Sequence, residues 1–340
     1  METYVTVYVM TQHSKNKYIN VSSLSSLADF GISRASVAIG VFDGVHIGHR
    51  HLLTELFKMT EQNRSEPVAL TFFPHPRTIL RPDSPPSLLI PPFKKIELLH
   101  LYGIKAVITI PFTKEFSMFS PEAFIKSSLM TKEVELAGIC VGRNWRFGAG
   151  GTGDSEKLHE FAKKKHFSFQ AVNEVSLDGH KVSSSNIRRA VSSGLLEDAA
   201  KMLGRPYSLC GIVEKGKKVA GPQLTFPTAN LKIDFGIVPP NGVYAGSVRF
   251  LKKAYPAAVA IGLSPTFNYA DNVTPRVEVH IIGFHEDIYG SQIEVELFKY
   301  LREERCYSAP DELKKQIGSD IARVSEIFNA INREAANIHG

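Results

Sequence analysis

The pattern of apolar residues changes near residue 204, and this change constrains the fold more than any other feature of the chain. Upstream of it, short runs rich in Val and Ile alternate with amphipathic helical stretches. The strand candidates are residues 36–41, 67–73, 105–110 and 136–141, and the helix candidates are residues 50–62 and 93–102. Strands that alternate with helices pair in parallel, and the helices cover both faces of the sheet. Residues 20–203 are therefore predicted to form an α/β domain.

Downstream of residue 204, the pattern indicates an all-β unit. Strand-like segments occur at residues 207–213, 242–251, 256–261, 277–284 and 292–297, and a convincing helix starts only near residue 309. Regularly spaced short strands favour a small β-barrel, here followed by a C-terminal helix. The helical pattern before the boundary stops at Gly204, and Pro206 follows it. We place the domain boundary there, so that residues 204–335 form the second domain.

Composition restricts the class of protein. The 340 residues are too many for one ordinary core, and 43% apolar with 22% charged residues is typical of a soluble globular chain. No apolar run approaches the roughly 18 residues of a membrane helix, and the first residues do not have the order of a secretory signal. Three widely spaced cysteines disfavour a disulfide framework and favour a cytoplasmic protein. The net charge of +6 suits anionic ligands such as nucleotides.

The segment GVFDGVHIGHRHLL, residues 40–53, lies where the first predicted strand ends and a helix begins. Open α/β sheets bind ligands at this edge, and glycines such as Gly40 and Gly48 permit a close approach of the backbone to phosphate. His46 and His49 are three residues apart, so their rings share one face of the helix and could donate hydrogen bonds to a nucleotide phosphate. The alternatives are a zinc pair, for which no obvious third ligand is present, and a solvated His-rich helix start that includes His51.

Two further segments in the first domain have anion-binding chemistry. In VSSSNIRRAV, residues 182–191, Ser184 stands at a helix start and Arg188 offers a forked donor to the same anion; a plain helix cap is the alternative. In VGRNWRFGAGGTGD, residues 141–154, Asn144 and Phe147 lie among glycines after a strand, where an ordinary loop is also possible.

The second domain carries its own candidate site. LTFPTANL, residues 224–231, presents a hydroxyl oxygen of Thr228 and an amide oxygen of Asn230 from a short loop, and hard oxygen ligands suit Mg²⁺. In VEVHIIGF, Glu278 shares one strand face with His280 and could take a proton from an attacking hydroxyl. A solvated glutamate on an amphipathic strand is the ordinary alternative.

These segments occur in one order, and with it the chain resembles the prokaryotic bifunctional riboflavin kinase/FAD synthetase family from about residue 20 to 335. The motifs that carry the resemblance are GVFDGVHIGH, TFFPHP, GRNWRFG and VSSSNIRR in the first half, and LTFPTANL, PPNGVYAG, VEVHIIGFHEDIYG and YLREERCYS in the second. The resemblance implies a Rossmann-like nucleotidyltransferase domain followed by a riboflavin kinase barrel. It implies that riboflavin and ATP give FMN, and that FMN and ATP then give FAD and pyrophosphate, with Mg²⁺.

The resemblance also implies roles for single residues. Glu278 would be the kinase base, His46 and His49 would stabilise phosphates during adenylyl transfer, and Thr228 and Asn230 would hold Mg-ATP. The nucleotide and its phosphates would contact Gly40, Phe42, Gly48, Ser184, Arg188, Gly216 and Gly221, and the flavin and nucleotide would contact Asn144 and Phe147. The chain departs from the family pattern at Phe73, where a glutamate is more frequent, in the 221–226 loop, which has no arginine, and at Ala260.

Two other hypotheses stay open at this point. In the first, the adenylyltransferase alone is active and the barrel is a catalytically weak flavin-binding or structural module, because the 221–226 loop is altered. In the second, the barrel and the positive charge belong to an RNA-binding protein, which should interleave aromatic residues with basic strands. Residues 252–255, KKAY, come nearest to that pattern. A solvated hairpin explains these residues equally well, so we expect small-molecule substrates and neither nucleic acid nor membrane as a partner, and the oligomeric state is left open.

Overall fold

The computed structural model describes residues 18–214, 228–250, 253–263, 275–305, 307 and 309–339. Its first sheet contains β1 (Ile19–Val21), β2 (Arg34–Ile39), β3 (Glu66–Phe73), β4 (Ala106–Pro111), β5 (Glu135–Gly142) and β6 (Ser168–Val172). All neighbouring pairs are parallel, in the order β1-β4-β3-β2-β5-β6. Every residue of β2 after Arg34 is buried, as expected for a central strand covered on both faces.

The helices of this part are α1 (Ile47–Asn63), α2 (Pro76–Leu80), α3 (Pro92–Leu101), α4 (Lys114–Ser117), α5 (Pro121–Leu129) and α6 (Ser155–Lys165). Short 3-10 helices lie at Ser25–Phe30 and Ala149–Gly151, and a small hairpin pairs β7 (Ser176–Leu177) with β8 (His180–Lys181). Helix α1 packs across β2, β5 and β6, and α6 packs on β5 and β6. The predicted Rossmann-like α/β class is confirmed.

Sequence analysis missed two strands of this sheet, both at its edges. Three residues of β1 are too few to show a period, and its pairing of Ile19 with Ala106 is a long-range contact. Strand β6 directly follows the basic end of α6, and only its last residue, Val172, is fully buried. An edge strand with one solvated face gives a weaker apolar signal than a central one.

The second fold is a closed barrel of six antiparallel strands in the order β10-β13-β12-β11-β14-β9. Its strands are β9 (Tyr207–Glu214), β10 (Ala229–Phe235), β11 (Gly242–Phe250), β12 (Lys253–Leu263), β13 (Pro275–Ile281) and β14 (Gln292–Arg302). The interior is filled by side chains with little or no exposure, among them Tyr207, Tyr244, Val259 and Val295. The barrel prediction is confirmed.

Three helices belong with the barrel: α7 (Ser184–Ser192), α8 (Leu196–Leu203) and α9 (Pro310–His339). Helix α8 packs on β9 and β14, while α9 covers β11 and β12 from outside. The end of β14 is tied to α9 by Arg302, whose Nη2 lies 2.8 Å from Oδ2 of the buried Asp320. This forked ion pair fixes where the C-terminal helix lies on the barrel.

Strand β10 corrects one sequence expectation. Thr228 and Asn230 were expected on a short loop, but Asn230 lies within β10 and Thr228 directly precedes it. Burial alternates along β10, with Leu231 inside the barrel and Lys232 exposed. The alternation was present in the sequence, since Ala229, Leu231, Ile233 and Phe235 are apolar and the residues between them are polar, but the PTAN motif at residues 227–230 was assigned to a loop.

The described residues fall into two compact units. Residues up to 86 together with 91–184 form the first unit, and residues 87–90 together with 185 onward form the second. The functional boundary predicted near residue 204 stays a prediction, because compactness alone does not delimit a catalytic module. Within the described ranges, no helix is both long enough and apolar enough to cross a membrane.

Candidate functional site

The first candidate site lies at the carboxyl ends of β2 and β5. Strand β2 is central: β3 and β4 continue the sheet on one side, and β5 and β6 on the other. The strand order therefore reverses between β2 and β5: strands that follow β2 in sequence are added first on one side of it and then on the other. Open α/β sheets bind ligands at such topological switch points. The segment 40–48 follows β2 and the segment 143–153 follows β5, so both predicted glycine-rich segments reach this edge.

The two histidines form a mutual cap at the start of α1. His46 Nδ1 accepts the backbone N–H of His49 at 3.3 Å, and His49 Nδ1 accepts the backbone N–H of His46 at 3.3 Å. Their rings stack with centroids 3.6 Å apart and planes 16° apart, which confirms the expected shared face. Because both Nδ1 atoms are acceptors, each neutral ring carries its proton on Nε2. A neutral pair of this kind has one Nε2–H donor on each ring, a group that can stabilise charge on a phosphate oxygen.

The turn that leads to these histidines is strained. Phe42, Gly44 and Val45 have φ values of 54°, 83° and 39°. Left-handed backbone is easy for glycine but costs on the order of 1–3 kcal/mol for other residues, and most for a β-branched one such as Val45. Phe42 and Val45 are completely buried, so surrounding contacts must hold the turn in place.

Gly40 and Gly48 stand where a side chain would push on the aromatic rings of the site. A Cβ on Gly48 would lie 3.1 Å from the His46 ring, and a Cβ on Gly40 would lie 3.2 Å from the Phe42 ring. The Phe42 ring in turn lies against His49, with 5.2 Å between ring centroids. The two glycines thus keep room for the rings, in addition to any approach by a ligand.

Ser184 anchors the middle of the turn. Its Oγ donates a 2.8 Å hydrogen bond to the carbonyl oxygen of Asp43, and Asp43 itself is 4% exposed. The structure therefore brings Ser184 to the histidine segment over 141 residues of sequence. Because its proton is donated to Asp43, Ser184 holds the turn and does not donate to a phosphate in this arrangement.

Lys95 is a component of the site that sequence analysis missed. It is 8% exposed, and its Nζ donates to Val41 O at 3.1 Å and to Thr71 Oγ1 at 3.0 Å. Burial lowers the pKa of Lys95 to about 8, and the charge of Asp43 opposes that shift. A signal was present in the sequence: Lys95 shares the apolar face of α3 with Leu98 and Leu99, at the i+3 and i+4 positions.

In the segment after β5, Asn144 is exposed and Phe147 is buried. Hydrogen bonds from Lys181 first and Asn144 second hold the pKa of the Glu174 carboxyl below its usual value. Phe147 is 6% exposed and stacks on Trp145 at 4.6 Å between ring centroids. Its ring is therefore core, and the half-exposed ring at this edge is Trp145, which lies in the same GRNWRFG motif and was not singled out.

Arg188 lies on α7 in the second compact unit. There its Nε donates a 2.7 Å hydrogen bond to the carbonyl oxygen of Ser87. A joint contact of Ser184 and Arg188 with one triphosphate stays a prediction.

The second candidate site lies on the outer face of the barrel. Asn230 on β10 is the direct cross-strand partner of Glu278 on β13, and Ala260 on β12 faces Glu278 from the other side. Opposite residues of antiparallel strands have Cβ atoms about 5 Å apart, so an amide and a carboxylate lie side by side. Val277 and Val279 point into the core, which confirms the predicted face of Glu278.

An arginine holds Glu278 in place. Arg276 Nη1 lies 3.6 Å from Glu278 Oε1, and Arg276 Nη2 lies 3.2 Å from Glu304 Oε1. The Glu278 side chain keeps 28% of its surface exposed, so it remains accessible to a substrate hydroxyl. Sequence analysis missed Arg276 and Glu304, although Arg276 is two residues from Glu278 on the same strand face.

Part of the predicted nucleotide site cannot be placed. Gly216 and Gly221, and with them the altered 221–226 loop, lie outside the described residues. Thr228 is exposed at the start of β10, close in sequence to that loop. Among the described residues there is no cluster of three or more His, Cys, Asp or Glu side chains suited to a metal ion.

Comparison with protein families gives two matches in sequence order. Residues 32–186 match the FAD synthetase family, and residues 203–328 match the riboflavin kinase family. The first match contains the histidine pair and the Ser184 anchor, and the second contains Asn230 and Glu278. Because both families match, the two-activity hypothesis is favoured over an adenylyltransferase with an inactive barrel.

Curated relatives match nearly the whole chain. A protein of Buchnera aphidicola subsp. Schizaphis graminum is 35% identical over 301 residues, which cover 88% of this chain and 96% of the relative. A protein of Bacillus subtilis is 31% identical over 303 residues, with 88% and 95% covered. Both are named bifunctional riboflavin kinase/FMN adenylyltransferase.

A solved structure has the same architecture. It is described as a macrolide-efflux protein from Streptococcus pneumoniae and aligns with a TM-score of 0.77 at 26% identity, over 91% of this chain and 98% of that one. The order of an α/β unit and a barrel is therefore shared over the whole length of that structure.

Proposed function

Since the chain belongs to the bifunctional riboflavin kinase/FMN adenylyltransferase family, we propose that its barrel phosphorylates riboflavin and that its first unit adenylylates the FMN produced. The observation that carries the proposal is the presence of two separate polar constellations, each on the fold that its family match assigns. One is a stacked imidazole pair at a phosphate-binding sheet edge, and the other is a carboxylate beside an amide on a barrel face.

In adenylyl transfer, a phosphate oxygen of FMN attacks the α-phosphorus of ATP, and the bond to the β-phosphate oxygen breaks to release pyrophosphate. No covalent bond to the protein is needed. Negative charge builds on the oxygens around the α-phosphorus, and the Nε2–H groups of His46 and His49 would stabilise it; the Nδ1 caps, which leave the ring protons on Nε2, support this role. The remaining work of this unit is to hold the strained turn and the nucleotide in one geometry.

In phosphoryl transfer, the 5′-hydroxyl of the ribityl chain attacks the γ-phosphorus of ATP, and ADP leaves. Glu278 takes the hydroxyl proton as that bond forms. Arg276 would orient the carboxylate, since its guanidinium lies between Glu278 and Glu304. The hydroxyl group of riboflavin would reach Glu278 from the half-exposed outer face.

Magnesium fits the donor set of the barrel. A hydroxyl on Thr228 and an amide oxygen on Asn230 are hard ligands, and Mg²⁺ usually takes most of its other ligands from water and substrate phosphates. Thr228 and Asn230 would hold the Mg-ATP complex, in which the ion supplies charge neutralisation at the phosphates.

A cytoplasmic location is part of the proposal. Cys140 is a buried free thiol, and burial raises its pKa to about 12. Such thiols are inert core residues and place no demand on an oxidising compartment.

The test is a product analysis of the full chain. Purified protein is incubated with riboflavin, Mg²⁺ and ATP, and FMN and FAD are separated over time. We expect FMN to rise first and then to yield to FAD. FAD from supplied FMN, with no product from riboflavin, would reduce the proposal to the first unit, and no product from either flavin would refute it.

A further inference from the structure

The strained turn before α1 has three anchors, and one of them has no assigned role in the reaction. Ser184 holds Asp43 in the middle of the turn, and the mutual cap of His46 and His49 closes its end. The start is held by Lys95 together with Thr71. A buried lysine is uncommon because its charge must leave water, so its presence here requires a reason.

The contacts of Lys95 form a closed triangle. Its Nζ donates to Val41 O and to Thr71 Oγ1, and Thr71 Oγ1 donates to Val41 O at 3.0 Å. The Val41 carbonyl thus receives a hydrogen bond on each of its two lone pairs. Two donors from different elements, β3 and α3, fix the plane of the peptide that joins Val41 to Phe42.

That peptide plane determines where Phe42 lies. Phe42 has a φ of 54°, and its ring packs 5.2 Å from the His49 ring, measured between centroids. The Phe42 carbonyl then accepts the Val45 N–H at 3.2 Å, and Val45 immediately precedes the His46 cap. A rotation of the Val41–Phe42 peptide would therefore move both the ring against His49 and the chain that leads to His46.

We propose that Lys95 and Thr71 are positioning residues for adenylyl transfer, which act by fixing the Val41 carbonyl and so hold the two imidazoles at the phosphates. This inference rests on the proposed adenylyl-transfer function of the first unit. Lys95 touches no reacting atom. Its effect passes through the turn to the histidine pair.

The experiment compares Lys95→Met, Thr71→Val and Thr71→Ser in the full chain, well below the unfolding temperature. Met and Val keep the approximate volume of the replaced side chains but remove their donors, while Ser keeps the hydroxyl. We expect kcat for FAD formation from FMN to fall about tenfold or more in Lys95→Met and Thr71→Val, since small misplacements of catalytic groups have effects of this size. We expect the KM for FMN to change less than twofold and Thr71→Ser to recover most of the rate.

Two controls belong to the same preparations. Lys94→Met removes the neighbouring charge on α3, which pairs with Glu97, and should leave FAD formation within twofold of wild type. FMN formation from riboflavin by the barrel of each variant should be unchanged, which shows that the chain is folded and active.

A double-mutant cycle tests the route. If Lys95 acts through the imidazoles, adding Lys95→Met to the His49→Asn variant should lower kcat for FAD formation only a little further. Additive losses would overturn the inference, as would a Lys95→Met kcat within twofold of wild type. If Lys95→Met does not fold, the contrast between Thr71→Val and Thr71→Ser decides the question. Wild-type protein that forms FMN but no FAD would overturn the proposed function itself and this inference with it.

Discussion

Which nitrogen of an imidazole carries the proton decides whether that ring can serve a phosphate, and here the backbone makes the choice. Each Nδ1 of His46 and His49 accepts a backbone N–H, so Nε2 is the donor on both rings. A short HxGH motif shows that two imidazoles share a helix face, but it does not show their tautomers. Those follow from the cap geometry alone.

Replacement of His49 should therefore affect one reaction only. His49→Asn removes an Nε2–H donor at the developing charge, and we expect FAD formation to fall roughly 100-fold, a typical cost for the loss of one such donor. FMN formation should persist. His51→Asn is the matched control, because His51 is exposed on the same helix. Equal losses in both variants, in a coupled assay of pyrophosphate release, would contradict the assigned role.

Replacement of Glu278 should have the opposite effect to replacement of His49, because it should affect only the reaction of the barrel. Glu278→Gln keeps the shape of the side chain but removes its basicity, so FMN formation should fall at least 100-fold while FAD formation from supplied FMN stays unchanged. Glu304→Gln is the control, because it loses an ion pair to the same Arg276 without losing the base. Retention of riboflavin kinase activity in Glu278→Gln would show that another group takes the proton.

Lys95 should leave a signature in the pH dependence of stability. Its pKa is about 8 in the folded chain, against 10.5 when unfolded. Below pH 8 both states are protonated and the burial cost is fully present; between pH 8 and 10.5 the unfolded state holds more protons, so the free energy of unfolding rises with pH. We expect wild type to gain about 2 kcal/mol relative to Lys95→Met between pH 7 and pH 10. Urea unfolding of both proteins measures it, and parallel curves would show that Lys95 has an ordinary pKa.

At the scale of elements, a glycine at the start of α1 lowers the stability of the helix but leaves room for the histidine rings. Glycine is a poor helix residue, and Gly→Ala in a helix normally adds about 0.5–1 kcal/mol of stability. At Gly48, however, a Cβ would lie 3.1 Å from the His46 ring. Glycine fits position 48, although it weakens the helix, because the stacked rings occupy the space that a side chain would need.

Gly48→Ala should separate activity from stability. We expect the unfolding temperature to stay the same or rise, while FAD formation falls about tenfold because the His46 ring is displaced. Gly318→Ala on α9 is the control, since nothing lies within 4 Å of its Cβ position. It should stabilise the chain without any change in either activity. Normal FAD formation by Gly48→Ala would mean that the ring stack is not needed.

At the scale of the whole molecule, the histidine pair lies in one compact unit and Glu278 lies in the other. We expect two variants, each inactive at one site, to complement each other in a mixture and restore FAD formation from riboflavin. His49→Asn should convert riboflavin only to FMN, Glu278→Gln should make no FMN, and an equimolar mixture should make FAD as FMN diffuses between molecules. A mixture that accumulates FMN without FAD would show that FMN does not pass through solution.

Local patterns in the sequence determined much of this protein. Apolar periods predicted the parallel sheet and the barrel, because burial of one or two faces of an element determines the spacing of its apolar residues. The family resemblance carried by the ordered motifs implied both reactions. Spacing also predicted that His46 and His49 share a face, and alternation predicted the outward face of Glu278. The edge strands β1 and β6 were missed because a three-residue strand and a mostly solvated edge strand carry little of that signal, whereas β10 was missed because its PTAN motif was assigned to a loop.

Tertiary structure alone decided how the sites are assembled. Lys95 reaches Val41 over 54 residues, Ser184 reaches Asp43 over 141 residues, and Asn230 meets Glu278 through strand register. The physical reason is that these contacts depend on which strands are neighbours and how they are aligned, and a local period contains neither. The sequence determined which chemical groups the protein has, and the fold decided which of them hold one another in working positions.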